Sequence, residues 1–136
     1  MTDRSLQKSI VIEAPVAKVW KVFTDPSVTK LMGGSYVTDW KPGSSLGWRA
    51  NSGQMYTNGK VLHVESHKVI EHTLLDMADS TKTLCTITYH FKEEGEQTRL
   101  EATETPHVHW SDQQYSDASD GWDAALKLVK DIAEGL

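Results

Sequence analysis

The sequence predicts an α+β domain, a curved antiparallel sheet of six to seven strands closed by one long C-terminal helix, with two short helices after the first strand. Three observations carry this expectation. Residues 111–136 have the pattern of a capped amphipathic helix, residues 35–105 that of strands separated by turns, and residues 14–34 that of two helices with a proline at each start.

Residues 5–13 open the chain with Leu6, Ile10 and Ile12 at alternate places and Val11 adding β propensity, which predicts a strand. Pro15 suits a first helical position, and Val16, Val19, Trp20 and Phe23 follow at i, i+3, i+4 and i+7, so residues 15–24 form an amphipathic helix. Asp25-Pro26 repeats the start signal with a capping aspartate. The second helix is short and stops at Gly33-Gly34, where a left-handed backbone is cheap.

Strands are then expected at 35–40, 46–50, 54–64, 69–75, 83–91 and 99–105. The turns between them are Pro42-Gly43, Asn51-Ser52-Gly53, Ser66-His67, the loop 76–81 and Glu93-Glu94-Gly95-Glu96. Cys85, Ile87, Tyr89 and Phe91 share one face of their strand, and Leu100 and Ala102 point the same way from the next. Consecutive strands with short turns make an antiparallel meander.

Ser111 and Gln114 match the capping box that opens the last helix. Tyr115, Ala118, Trp122, Ala125, Leu126, Val129, Ile132 and Ala133 fall within an arc of about 120° at helical spacing, the width of a core-facing stripe. Gly121 breaks the pattern, since glycine inside a helix costs about 1 kcal/mol relative to alanine. The expectation drawn from it is a bend or a close approach of the helix backbone to the sheet beside Trp122. A curved sheet with one apolar face must bury that face, and this helix is the one element long enough to cover it. Where lining side chains do not meet, a space is left that suits a small apolar ligand.

The 136 residues suit one domain, 1–136, with a core of its own. A net charge of −5 speaks against a nucleic-acid partner, and no apolar run is long enough for a membrane span. The lone cysteine, Cys85, excludes an internal disulfide and fits the cytoplasm.

Several motifs, taken in order, resemble one family. Val19-Trp20-Lys21-Val22-Phe23-Thr24-Asp25-Pro26 resembles the "VWxxFTDP" signature of the activator of heat shock protein 90 ATPase homologue-like domains. Trp40-Lys41-Pro42-Gly43 into Leu46-Gly47-Trp48 resembles the family's next hairpin, Gly59 to Glu65 its "GxVxxV" strand, and Gly121-Trp122 with Leu126 its closing "GWxxxL" helix. These domains belong to the START-like (SRPBCC, Bet v-like) helix-grip superfamily, so the resemblance implies a helix-grip fold. Residues 30–34 stand where many members carry a tryptophan pair, near the cavity mouth.

Trp20 and Phe23 read as core. The inward aromatics and Cys85 either fill the core or line a cavity between sheet and helix. With the resemblance, the expected lining is Trp48, Tyr56, Cys85, Ile87, Tyr89, Leu100, Trp122 and Leu126. Cys85 lies beside no evident base and reads as an inert thiol. His107 and His109 would share a strand face, yet no third ligand stands at a recognisable spacing, so no metal and no cofactor are expected. Glu71, Glu101 and Glu104 are the kind of carboxylates that acid–base chemistry uses, but the solvated face of a half-exposed sheet explains them more simply. No phosphate loop or nucleophile elbow is present.

The leading expectation is a non-enzymatic module that holds a small hydrophobic molecule in a cavity between the sheet and the C-terminal helix. The alternatives are an interaction protein for a chaperone or other ATPase, and an enzyme of the polyketide-cyclase or aromatase kind. The enzyme would need polar groups converging in the cavity, with His63, His72, His90 and Glu104 the nearest candidates. Expected partners are the small molecule, a second copy of the chain, or a chaperone.

Overall fold

The computed structural model describes residues 4–136, the side chains of Tyr56 and Thr57 excepted. Strand β1 (Leu6–Ile12) leads through Pro15 into helix α1 (Val16–Thr24). Pro15 is still extended, one residue ahead of its expected place, and its carbonyl takes the first helical hydrogen bonds, from the amides of Lys18 and Val19. Asp25 caps helix α2 (Pro26–Thr29) by accepting from the Ser27 amide at 3.0 Å and the Ser27 hydroxyl at 2.7 Å. These bonds hold its carboxyl below the usual aspartate range. A 3-10 turn (Lys30–Met32) extends α2 until Gly33, at φ +100°, ends it as the glycine pair implied.

Six strands follow: β2 (Gly34–Val37), β3 (Ser45–Ala50), β4 (Met55–Glu65), β5 (Val69–Leu75), β6 (Thr83–Glu94) and β7 (Gln97–Pro106). With β1 they form one seven-stranded sheet in the order β1-β7-β6-β5-β4-β3-β2, every neighbour antiparallel. The fold is the expected helix grip, with strands two to seven a meander and the first strand returned to the edge beside the last.

Strand β2 stops three residues before its expected end. Thr38 Oγ1 accepts from the Trp40 amide at 3.2 Å and Asp39 Oδ1 from the Lys41 amide at 3.0 Å, so local side chains capture donors that a ladder would have used. Trp40 takes a left-handed φ of 61° there, and its ring packs edge-on against Tyr36 at 5.3 Å. In β4 the pairing with β5 shifts register between Val61 and His63. Gly59, just before that shift, approaches β5 so closely that an added methyl would lie 2.0 Å from the Thr73 carbonyl oxygen.

Helix α3 (Asp112–Glu134) begins with the capping box the sequence implied. Ser111 Oγ accepts from the Gln114 amide at 3.1 Å, and Gln114 Oε1 accepts from the Ser111 amide at 2.7 Å. It buries Leu126, Val129 and Ala133, which join Ile12, Val19, Val22 and Leu100 in one hydrophobic core. Polar bonds fix it along β1: Lys130 Nζ donates to the Val11 carbonyl at 3.3 Å, and Glu134 accepts from the Glu13 amide at 2.8 Å. Helix α1 lies beside it, with Phe23 against Tyr89 at 4.8 Å and Phe91 at 5.3 Å. Trp20 is only half buried and meets Phe91 edge-on.

Gly121 does not match its expectation. It is exposed, and a methyl built on it meets no atom within 4 Å. The helix runs unbroken through this position, with the residue on its solvent side. Among the described residues no helix is long and apolar enough to cross a membrane.

Candidate functional site

The site follows from where α3 lies. The helix packs on β1, α1 and the 3-10 turn, which leaves the inner face of the sheet's other half to cover itself. Strands in that half present large side chains inward at every second place: Tyr36 from β2, Leu46 and Trp48 from β3, His72 and Leu74 from β5, Ile87 and Tyr89 from β6. With Met32 of the 3-10 turn they enclose an open pocket of about 240 Å³. Its walls are overwhelmingly apolar, and four of its aromatic rings are interlocked. Tyr36 stands edge-on to Trp48 at 5.0 Å and to His72 at 6.4 Å, and His72 lies 6.4 Å from Tyr89.

Gly34 makes this wall possible. A methyl there would fall 2.3 Å from the Arg49 carbonyl oxygen and 2.9 Å from the Trp48 ring, so only glycine lets the indole lie against the backbone of β2.

Of the residues expected to line a cavity, Trp48, Ile87 and Tyr89 stand at this pocket. Leu100 and Leu126 are buried in the packed core. Trp122 is half buried and approaches the pocket only through Tyr89, ring to ring at 5.7 Å. Cys85 is buried one inward place before Ile87 on β6. Tyr56 lies on β4, its side chain outside the described residues. The pocket therefore gathers toward β2 and β3, with no residue of α3 in its lining.

Residues not expected in the lining are Met32, Tyr36, Leu46, His72 and Leu74. His72 alternates with Ile70 and Leu74, a period-two signal that puts it inward. Met32 reaches the site through the fold of the α2 segment, for which no local pattern exists.

The polar groups at the inner wall are few and mostly paired. The phenols of Tyr36 and Tyr89 share a hydrogen bond, and burial pushes both above the ordinary tyrosine range. Glu104 is not on the solvated face. It has the parity of Leu100 and Ala102 on β7, and its Oε1 accepts from Trp122 Nε1 at 2.8 Å. The Cys85 thiol also bonds to Glu104. Burial first, and then this carboxylate, push the thiol up to about 12, which leaves it unreactive as its surroundings implied. Glu71 and Glu101 do face outward, accepting from Thr88 Oγ1 at 2.8 Å and pairing with Lys92 at 2.9 Å.

His72 is 3% exposed. Its Nδ1 lies 3.0 Å from the Thr73 carbonyl oxygen, and since a carbonyl only accepts, Nδ1 carries the proton. Nε2 is then the lone-pair nitrogen, and it is buried with no hydrogen-bond partner among the described residues. Burial lowers the imidazole's affinity for a second proton, so the ring is neutral at pH 7. His72 and Glu104 are thus not bonded to each other, and they form no acid–base dyad. His63 and His90 are exposed, and His63 pairs with Glu65 at 3.4 Å. His107 Nε2 is 2.8 Å from Thr86 Oγ1. Among the described residues no three His, Cys, Asp or Glu side chains gather as metal ligands.

Comparison with known proteins agrees with this architecture. A protein of Cytophaga hutchinsonii solved in solution superposes with a TM-score of 0.79 at 22% identity, over 99% of this chain and 97% of that one. CalU16 of Micromonospora echinospora gives 0.75 at 21%, over 96% and 76%. The Aha1 dimer of Colwellia psychrerythraea gives 0.77 at 19%, over 97% of each chain. At these identities the likeness is one of fold. No curated protein sequence matches significantly. The model of the Activator of Hsp90 ATPase homolog 1-like protein family matches residues 13–134, from the end of β1 to the end of α3, and the chain belongs to that family.

Proposed function

We propose that residues 1–136 act as one non-enzymatic binding domain of the cytoplasm that holds a small hydrophobic molecule. The helix grip supplies the frame, and the occupant sits on the side of the sheet that α3 leaves uncovered. The observation that carries this reading is the apolar pocket of about 240 Å³ with Trp48, Tyr36 and Tyr89 in its wall. Ligand sites are concave, mostly apolar and fitted with few polar groups, and typically span roughly 300–1,000 Å³, so this one suits a molecule of one or two rings.

Native mass spectrometry of protein purified from its own cells is expected to show a bound mass that denaturation removes. Leu74→Trp, which places an indole in the pocket, is expected to abolish both that mass and binding of added naphthalene. Naphthalene binding that survives the filled pocket would overturn the reading.

The family's description supports a second reading, contact with an Hsp90-type chaperone or another ATPase, and the Colwellia dimer supports self-association. A stoichiometric complex recovered with the host chaperone would move that reading ahead of the first.

A further inference from the structure

We infer that the pocket's occupant carries a hydroxyl group and that this hydroxyl donates a hydrogen bond to Nε2 of His72. The inference rests on the pocket being a ligand site, and it specifies what chemistry is read there.

A histidine on a largely apolar wall is an unusual choice when phenylalanine would fill the same space. Leaving a buried polar atom without a partner costs more than the net gain of an ordinary hydrogen bond, so such atoms are rare unless something satisfies them. Here the ring's orientation is fixed from behind. Nδ1–H donates to the Thr73 carbonyl at 3.0 Å, which leaves Nε2 as an acceptor with a single in-plane lone pair. Its neighbours cannot fill it. Neither the Tyr36 nor the Tyr89 phenol reaches it within hydrogen-bond distance, and Leu46, Leu74 and Ile87 are hydrocarbon.

An acceptor of this kind rejects ethers, esters, carbonyls and anions, which bring only lone pairs. It selects O–H or N–H donors, and in an apolar pocket of this size a monohydroxylated aromatic or alicyclic molecule is the simplest fit. A cationic amine fits poorly, since no carboxylate lines the pocket. A site built around one buried polar atom discriminates strongly against the analogue that leaves it unpaired.

The test compares 2-naphthol with 2-methoxynaphthalene by isothermal titration calorimetry. The two share a ring system, and the ether is the more hydrophobic, so hydrophobicity alone favours it. Binding of 2-naphthol is expected to be tighter by about tenfold or more, as one buried hydrogen bond allows. His72→Phe should bring the two affinities together while retaining the ether. Equal affinities in the wild type would overturn the inference and leave the apolar site standing, and an ordered water already held on Nε2 would give that result. A preference that survives in His72→Phe would place the hydroxyl elsewhere and also overturn it. Binding of neither probe would overturn the ligand-site reading as well. Should His72→Phe fail to fold, the ¹⁵N resonance of Nε2 in the wild type decides: it is expected to move upfield with 2-naphthol and to stay unmoved with the ether, and the reverse sinks the inference.

Discussion

Trp122 Nε1 donates to Glu104 Oε1 at 2.8 Å, so the last helix is tied to the inward face of β7 by a bond to a carboxylate. The same carboxylate takes the Cys85 thiol, and the Trp122 ring rests on Tyr89 at 5.7 Å. One acidic residue thus joins α3, β6 and β7 behind the pocket. Trp122→Phe keeps the ring contact and deletes the donor. It is expected to cost about 1.5 kcal/mol, the low end for a hydrogen bond to a charged group, because both residues are half exposed. In the Glu104→Ala background, which removes the acceptor, the same change should cost less than half as much. Urea denaturation of the four proteins measures the cycle, and equal costs in both backgrounds would remove Glu104 from this role.

Gly121→Ala is expected to stabilise the domain by up to about 1 kcal/mol, because alanine favours helix and the new methyl enters open space. A fall in the urea midpoint would show that the helix backbone touches something there after all.

Gly34→Ala should act in the opposite direction. Its methyl would meet the Arg49 carbonyl and the Trp48 ring, so strand β2 or the indole must move, at a cost of roughly 1–3 kcal/mol. Because Trp48 is a pocket wall, the tryptophan emission of the folded mutant is expected to shift as well. An unchanged midpoint and spectrum would mean the wall yields freely.

Stability should depend on His72 in acid. Its folded-state proton affinity is lowered by burial, so on acidification the unfolded chain takes up this proton first. Above the unfolded histidine pKa of about 6.5 the ring is neutral in both states and contributes no slope; below it, stability falls with pH until the folded ring titrates too. The stability difference between wild type and His72→Gln is therefore expected to shrink from pH 7 to pH 5. A difference that is constant over this range would contradict burial of the neutral ring.

Cys85 should resist iodoacetamide at pH 8 in the folded protein, since its thiol is held near 12 and is almost fully buried. Alkylation is expected to follow the rate of unfolding and to rise in step with added urea. Rapid labelling under native conditions would show an opening at β6.

The order of elements was legible because each is a local matter of chemistry. Asp25-Pro26 and Ser111 with Gln114 set helix starts within a few residues, and the alternation of Cys85, Ile87, Tyr89 and Phe91 marks a sheet face without reference to any other segment. The same alternation applied to β5 and β7 already points His72 and Glu104 inward; the charge of Glu104 argued for solvent, and the register of the sheet overrode it. What no local pattern carried is the sideways position of α3. An amphipathic stripe shows that a helix will be buried, but not which strands it will lie on. That was decided by its bonds to Val11 and Glu13 along β1 and by the bulk of α1 beside it. From that placement follow the packed surroundings of Leu100 and Leu126, the open space beside Gly121, and a pocket walled by β2, β3, β5 and β6 with Met32 at its edge. Contacts between residues far apart in the chain depend on how whole elements share one core, and only the assembled core chooses among them.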